Sequence, residues 1–196
     1  MSLPQNMAIE SQLEHRRFAI GDIHGCSKTL RKMVKEVLQL KTDDTLFLLG
    51  DYIDRGPDSV GVLDYLIKLQ ELGFDVRPIR GNHEEMLLDA VENPAAHSLW
   101  YGNGGWGTLR EFKVDSPELI PRRYLDFMTA LPYIITTEDY VFAHAGLDFR
   151  THDPLKETPP QFIIWSRDCQ ADFSKIGGRT LVTGHSVVPL FQSKIR

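Results

Sequence analysis

The sequence predicts an α/β fold built on a βαβαβ array with a parallel sheet. Short apolar runs alternate with segments in which apolar residues recur at helical spacing, and the turns between them are short. Three polar motifs directly follow three of these runs: GDIHG at 21–25, GDYIDRG at 50–56 and RGNHE at 80–84. Because open α/β sheets bind ligands beyond the carboxyl ends of their strands, the motifs and the element pattern support the same architecture.

The first half of the chain accounts for the parallel array. The run from 45 to 49 is almost entirely apolar, which is typical of a strand covered on both faces. Ser27 begins a segment with its apolar residues on one helical face, and Pro57-Asp58-Ser59 precedes a second such segment. The predicted strands are 18–20, 45–49 and 75–79, and the predicted helices are 27–40, the segment after Ser59, and 84–91.

The second half is interrupted by glycine and proline. Residues 101–106, Tyr-Gly-Asn-Gly-Gly-Trp, predict a loop with a helix behind it. The apolar runs 133–136 and 140–143 predict a hairpin around Glu138-Asp139. The other expected elements are a helix over 121–131, a proline-punctuated loop over 148–161 and a final strand over 180–183.

Size and composition indicate a single domain over residues 1–196, in which 1–14 is a loose lead-in. The net charge of −5 and the lack of a long basic run argue against a nucleic-acid partner. No apolar stretch reaches membrane-spanning length and residues 1–17 are too polar for a signal peptide, so no membrane partner is expected. The two cysteines, Cys26 and Cys169, lie far apart, which favours a cytoplasmic location.

Six polar side chains are candidate metal ligands, because each follows a predicted strand beside glycine or a small residue. A single histidine after a strand is more often structural, but several of them beside two carboxylates favour a metal site. Carboxylate, amide and imidazole groups together suit a pair of divalent cations, and phosphate hydrolysis is the chemistry that such pairs serve best. The candidates are Asp22, His24, Asp51, Asn82, His144 and His185.

The three motifs, followed by HAG at 144–146 and GH at 184–185, resemble the phosphoprotein phosphatase branch of the calcineurin-like metallophosphoesterases. This branch includes small bacterial and phage serine/threonine phosphatases and is related to the symmetrical diadenosine tetraphosphatases. The resemblance, from about Phe18 to about Pro189, implies an α/β (α+β) β-sandwich of two mixed sheets flanked by helices. It also implies strands after the GH motif, so either C-terminal strands are missing from this chain or the second sheet is finished differently.

By the same resemblance, Asp22, His24 and Asp51 hold a first metal ion. Asp51 bridges to a second ion, which Asn82, His144 and His185 complete. The expected cofactors are two divalent ions, with manganese the first candidate and iron or zinc as alternatives. A hydroxide that bridges the ions would attack phosphorus in line, while the ions neutralise charge on the phosphoryl oxygens.

The resemblance also gives roles to residues beside the ligands. His83 corresponds to the general acid that protonates the leaving alkoxide, and Asp54 to the carboxylate that orients it. Arg55 and Arg167 correspond to phosphate-binding arginines, and Asn82 is a further phosphate contact.

Other residues near the motifs keep a structural interpretation beside the functional one. Arg80 is a candidate to support phosphate binding from behind the site, against a plain surface salt bridge. Glu84 either hydrogen-bonds to the loop or opens a helix. The stretch 103–106 is similar to a loop of small bacterial and phage members and is predicted to line the substrate cleft. Core or pocket wall, rather than a base-stacking box, is predicted for Trp100, Trp106 and Trp165.

The leading hypothesis is a dinuclear-metal hydrolase acting as a serine/threonine protein phosphatase, with phosphotyrosine as a further candidate substrate. The alternative is a symmetrical bis(5'-nucleosyl)-tetraphosphatase. By the resemblance, the tetraphosphatases tend to carry aspartate where this chain has Glu84 and often lose the acid that matches Asp54. They also carry a long insert after HAG, whereas the segment 147–163 is short here, so these features favour the phosphatase. A non-catalytic metal-binding scaffold is disfavoured because every expected catalytic and ligand residue is present. The expected partners are a phosphoprotein or nucleotide substrate, and the expected assembly is a monomer or small oligomer.

Overall fold

Two β-sheets form the centre of the protein. The computed structural model describes residues 7–8, 15–168 and 170–187. Its strands are β1 (Met7–Ala8), β2 (Arg17–Ile20), β3 (Thr45–Leu48), β4 (Asp75–Pro78), β5 (Ile134–Thr136), β6 (Tyr140–Ala143) and β7 (Thr180–Val182). One sheet has the order β2-β3-β4 and the other has the order β1-β5-β6-β7.

The three-stranded sheet is parallel throughout its described strands. Ile20 pairs with Leu48, and Leu48 pairs with Pro78, so the three strands end at one register position. The three polar motifs of the first half therefore begin along one edge of the sheet. The predicted βαβαβ array is confirmed. The motifs lie at the carboxyl ends of the strands, as expected.

The four-stranded sheet is mixed. β5 and β6 are antiparallel, which confirms the predicted hairpin, whereas β6 and β7 are parallel with Phe142 opposite Val182. His144 and His185 consequently follow neighbouring strands at the same edge. The rings of Phe47 in β3 and Phe142 in β6 stack with centroids 3.9 Å apart, so the two sheets pack face to face as the predicted sandwich requires.

Helices cover the outer faces of both sheets. In α2, Val62, Leu63 and Leu66 are fully buried and belong to the same core cluster as Leu46 and Leu48 of the first sheet. The helices are α1 (Ser27–Lys32, continued by a π-helical turn at Met33–Val37), α2 (Ser59–Glu71), α3 (Asn82–Glu92), α4 (His97–Trp100), α5 (Trp106–Phe112), α6 (Arg122–Thr129), α7 (Pro154–Glu157) and α8 (Pro160–Trp165).

Two segments predicted as loops contain helical structure. Tyr101–Gly105 is a π-helical turn that joins α4 to α5 through a kink at Gly104, where φ is +115°. The proline-punctuated segment forms α7 and the start of α8, since Pro154 and Pro160 each occupy a first helical position, where the missing N–H is tolerated. Ile163 and Ile164 of α8 are buried against the second sheet, and this packing overrides the local sequence preference.

Three further sequence expectations concern boundaries and termini. Helix α3 begins at Asn82 rather than at residue 84. Of the predicted lead-in 1–14, Met7–Ala8 form a strand parallel to β5, and the rest lies outside the described residues, as does everything after residue 187. Within the described ranges, none of the helices has the length and apolar character needed to cross a membrane.

The stacked rings between the sheets predict a stability effect. Phe47 is 2% exposed, so Phe47→Ala should leave a cavity and lower the free energy of unfolding by about 3–5 kcal/mol. Val37→Ala is the control, because Val37 is 63% exposed and its change should stay within about 0.5 kcal/mol. Urea unfolding followed by circular dichroism measures both, and equal small effects would contradict a packed intersheet core.

Candidate metal and catalytic site

The polar motifs converge at the edge where the strands of both sheets end. Two groups of side chains bring ligand atoms within 4.8 Å of one another. One group is His24, Asp51 and His83, and the other is Asp51, His144 and His185. Asp51 belongs to both groups, so its carboxylate lies between two sets of imidazoles. This is the arrangement expected of a carboxylate that bridges two cations.

The second group holds acceptor atoms against one another. His144 Nδ1 lies 2.6 Å from the Leu49 carbonyl oxygen and donates to it, which leaves Nε2 as an acceptor. That Nε2 faces Asn82 Oδ1 at 2.9 Å and Asp51 Oδ1 at 3.5 Å. His185 Nδ1 lies 3.1 Å from the same Asn82 oxygen. His144 Nε2 and Asn82 Oδ1 are both acceptors, and acceptors this close repel unless a positive charge lies between them, so this set of ligand atoms fits a divalent cation.

The first group has a similar fixed tautomer. His24 Nδ1 lies 3.0 Å from the Ile53 carbonyl oxygen and donates to it, so Nε2 is the acceptor nitrogen and lies 3.6 Å from Asp51 Oδ2 and 3.2 Å from the donor Arg55 Nη1. Asp22 is exposed, and its Oδ1 accepts a hydrogen bond of 2.9 Å from the His185 backbone N–H. A Cβ on Gly184 would lie 2.5 Å from the same oxygen, so glycine is required for this approach. All six predicted ligands are thus gathered at one edge.

His83 and Asp54 form a pair beside these groups. His83 Nδ1 lies 2.8 Å from Asp54 Oδ2, and both side chains are fully buried. His83 Nε2 has no hydrogen-bond partner among the described residues and lies 4.0 Å from Asp51 Oδ2. Since Nδ1 is bonded to the carboxylate, Nε2 is the nitrogen that faces the metal-ligand cluster.

The predicted arginines have different environments. Arg55 is exposed, and its Nη1 lies 3.2 Å from His24 Nε2. Arg167 is also exposed, and its charge acts on His185, so it lies near the second group. Arg80 is 5% exposed and bonds through Nη1 to Glu85 Oε2 at 2.8 Å and through Nη2 to the Thr129 carbonyl oxygen at 2.6 Å. Its guanidinium ties α3, the helix that begins with Asn82 and His83, to α6, so its ion pair with Glu85 is buried and is not the plain surface salt bridge of the alternative interpretation.

Glu84 joins two of the motifs. Its carboxylate is fully buried and accepts hydrogen bonds from Asp51 N at 2.9 Å, Tyr52 N at 2.8 Å and Gly81 N at 3.0 Å. The first of the two interpretations left open by the sequence, a hydrogen bond to the loop, is therefore correct. Glu84 holds the GDYIDRG turn against the start of α3.

A family model for calcineurin-like phosphoesterases matches residues 15–191. The chain belongs to this family. It is therefore a metal-dependent phosphoester hydrolase, and the family resemblance and fold class predicted from the motifs are confirmed.

Individual relatives of this phosphoesterase carry two kinds of name. Serine/threonine-protein phosphatase 2 of Salmonella typhimurium is 31% identical, over 96% of this chain and 87% of that protein. The symmetrical bis(5'-nucleosyl)-tetraphosphatase of Dechloromonas aromatica is 35% identical, over 66% of this chain and 43% of that enzyme. A solved structure provisionally named a diadenosine tetraphosphatase shares the fold with a TM-score of 0.64 at 24% identity, over 92% of this chain and 78% of that one.

Burial sets the protonation of the phosphoesterase site. Burial raises the pKa of Asp51 to about 6, and burial lowers the pKa values of His24 and His144. Burial, together with the neighbouring His144, lowers the pKa of His185 to about 4. Burial opposes the charged form of His83 as well, but the Asp54 hydrogen bond and the charges of Asp51 and Asp54 raise its pKa overall. Three imidazoles are thus neutral and ready to ligate, while His83 retains its proton more strongly.

Sequence reasoning missed Thr108 and the polar role of Trp100. Thr108 Oγ1 donates to Asp54 Oδ1 at 2.6 Å, and Trp100 Nε1 donates to Asp54 Oδ2 at 2.9 Å. Trp100 was predicted as core or pocket wall, which its complete burial confirms, but its N–H was given no partner. The glycine pair 104–105 between these residues was the available indication that the chain packs closely here. Of the other two tryptophans, Trp106 is 53% exposed, and Trp165 is 36% exposed with its ring centroid 6.0 Å from that of His185.

Because Asp51 is buried, we expect Asp51→Asn to affect the stability of the metal-free and the metal-bound protein differently. A carboxyl with a raised pKa destabilises the folded state above its unfolded-state pKa, so at pH 7 metal-free Asp51→Asn should be at least as stable as wild type. Manganese should raise the unfolding midpoint of wild type but not of the variant, because the shared ligand is lost.

Thermal unfolding at pH 7 with and without manganese chloride measures both effects. Asp139→Asn is the matched control, because the Asp139 side chain is 59% exposed and should change neither value. A less stable metal-free Asp51→Asn that still responds to manganese would show that Asp51 is a structural carboxylate.

Proposed function

We propose that this phosphoesterase is a serine/threonine protein phosphatase that cleaves phosphomonoesters. The observation that carries the proposal is the buried His83–Asp54 pair, with Nδ1 and Oδ2 2.8 Å apart. A serine or threonine alkoxide is a poor leaving group, so hydrolysis of its phosphate ester gains from a proton donated to the leaving oxygen. A nucleoside diphosphate leaves as a stabilised anion and gains less. The pair therefore favours an alcohol leaving group.

The residues divide the reaction between them. Arg55 and Arg167 would bind the phosphoryl oxygens through planar guanidinium groups, with Asn82 as a further contact. Asp54 would hold His83 by its Nδ1–H, and His83 Nε2 would donate the proton to the leaving oxygen. Two divalent cations, manganese the first candidate, would supply a water of lowered pKa and neutralise phosphoryl charge. One cation would bind Asp22, His24 and Asp51; the other would bind Asp51, Asn82, His144 and His185.

The exposure of the rim supports a protein substrate. Asp22, Arg55 and Arg167 are all exposed, so a phosphate carried on another protein could reach them. The segment after β6 also follows a compact path. Thr158 Oγ1 accepts a hydrogen bond of 3.0 Å from Asp148 N and donates one of 2.6 Å to the Pro154 carbonyl oxygen. By the family resemblance the tetraphosphatases carry a long insert after HAG, so a short segment folded back on itself at this place favours the phosphatase.

The comparisons support both candidate activities. The match to the Salmonella enzyme named a serine/threonine-protein phosphatase spans most of both chains. Tetraphosphatase activity remains the second candidate, because the Dechloromonas enzyme of that name has the higher identity over a shorter shared region.

A direct comparison of substrates tests the ranking. With manganese bound, we expect phosphate release from a phosphoserine peptide to be faster than ADP release from diadenosine tetraphosphate. Product chromatography measures both reactions in parallel. Asp51→Asn is the control for contaminating enzymes and should lose both activities. Faster ADP release would reverse the ranking and favour the tetraphosphatase.

The general-acid role predicts a dependence on the leaving group. His83→Asn should lower kcat for the phosphoserine peptide by about 10²–10⁴-fold, because the alkoxide then leaves unprotonated. The loss should be much smaller for 4-nitrophenyl phosphate, whose leaving group is a stable anion. Bound manganese, measured by elemental analysis, should be unchanged. His152→Asn is the control, since His152 is exposed and outside the site. An equal loss on both substrates would rule out proton donation by His83.

A further inference from the structure

We propose that Trp100 and Thr108 are positioning residues, which hold the Asp54 carboxylate and through it the imidazole of His83. The glycine-rich turn Tyr101–Gly105 would allow the indole of Trp100 to reach that carboxylate. The inference rests on the proposed function, because it concerns the residue that would protonate the leaving group.

Three side-chain donors surround the fully buried Asp54 carboxylate. Thr108 Oγ1 donates to Oδ1 at 2.6 Å, while Trp100 Nε1 at 2.9 Å and His83 Nδ1 at 2.8 Å both bond to Oδ2. A buried carboxylate is stable only when its oxygens are well bonded. With a donor on each oxygen besides His83, the carboxylate cannot rotate about its Cβ–Cγ bond. The direction of the bond to His83 is thereby fixed.

Thr108 also holds the backbone from which Asp54 projects. Its Oγ1 accepts from the Asp54 N–H at 3.2 Å, and the Ser59 hydroxyl accepts from the same N–H at 3.1 Å. Asp54 has φ of +69°, a left-handed conformation that is unfavourable for a residue other than glycine. The two hydroxyls therefore stabilise a strained turn as well as the side chain that leaves it.

The glycines of the turn allow the indole to approach. A Cβ on Gly105 would lie 2.5 Å from Cδ2 and Cε2 of the Trp100 ring. At Gly104, where φ is +115°, a Cβ would lie 3.0 Å from Arg55 N. The turn thus packs on the backbone of the phosphate-binding arginine and on the back of the indole. These two contacts account for the glycine pair.

Loosening of the carboxylate should affect proton transfer more than binding. If the donors only maintained the core, their loss would lower stability and reduce turnover of every substrate by one factor. If they aim His83, their loss should lower kcat mainly for substrates with a poor leaving group and leave KM unchanged.

Kinetic variants test this difference. Thr108→Val and Trp100→Phe should each lower kcat for a phosphoserine peptide by about tenfold or more, with KM and bound manganese unchanged. The loss should be smaller for 4-nitrophenyl phosphate, and Thr108→Ser, which keeps the hydroxyl, should restore most of the activity. Equal losses on both substrates, or a Thr108→Ser variant as impaired as Thr108→Val, would overturn the proposal. Should Trp100→Phe fail to fold, the Thr108 pair decides.

A second readout needs neither metal nor turnover. The proton on His83 Nδ1, bonded to a carboxylate and shielded from solvent, should give a far-downfield proton NMR resonance in the metal-free protein. His83→Asn assigns the resonance by removing it. Thr108→Val and Gly105→Ala should broaden it or move it upfield. Gly107→Ala is the matched control, since a Cβ there meets nothing within 4 Å.

The two readouts separate this proposal from the proposed function. Absence of phosphomonoester hydrolysis by wild type would contradict the phosphatase assignment while the resonance still reports on Asp54. An unchanged resonance in both Thr108→Val and Gly105→Ala, or its absence from wild type, would overturn the positioning role.

Discussion

The site depends on the hydrogen bonds that three backbone N–H groups donate to the buried carboxylate of Glu84. It lies fully out of solvent and accepts backbone N–H groups from Asp51, Tyr52 and Gly81. Burial raises the pKa of Glu84 to about 7, so the group is costly, but unpaired buried N–H groups at three positions would cost more. The turn that carries Asp51 and the helix that carries Asn82 and His83 are thereby fixed to each other. Shared coordination of two cations requires this fixed relation.

Backbone strain is concentrated at the same edge. Seven non-glycine residues in the described ranges have positive φ, and five of them are predicted site residues: His24, Asp51, Asp54, Arg55 and His185. Left-handed conformations are unfavourable for these residue types and persist only where surrounding contacts over-determine them. The strand ends supply such contacts, since the backbone N–H groups of residues 23–25 all bond to carbonyl oxygens of Asp51 and Tyr52. The fold's stability is in part used to hold side chains in orientations that suit ligation.

The site has an inner and an outer part with different physical requirements. His83, Asp54 and His144 are buried, where low polarity strengthens hydrogen bonds and fixes tautomers. Asp22, Arg55 and Arg167 are exposed at the rim, where a substrate can reach them. Arg80, for which the sequence left open support from behind the site or a surface salt bridge, lies in the inner part, because its buried guanidinium is bonded to Glu85 and Thr129. Arg55 and Arg80 both lie inside a motif, so membership of a motif did not distinguish an exposed arginine from a buried one.

The sequence by itself determined the parallel array, the hairpin and the convergence of all six candidate ligands, because strand periodicity and strand-end motifs are local properties of the chain. Only the tertiary structure decided which polar atoms meet across long separations. Thr108 reaches Asp54 from 54 positions away, and Arg80 turns inward to α6. Likewise, the proline-rich segment ends in helix α8, which is stabilised by burial of Ile163 and Ile164. Such contacts depend on packing between elements, which no local pattern encodes.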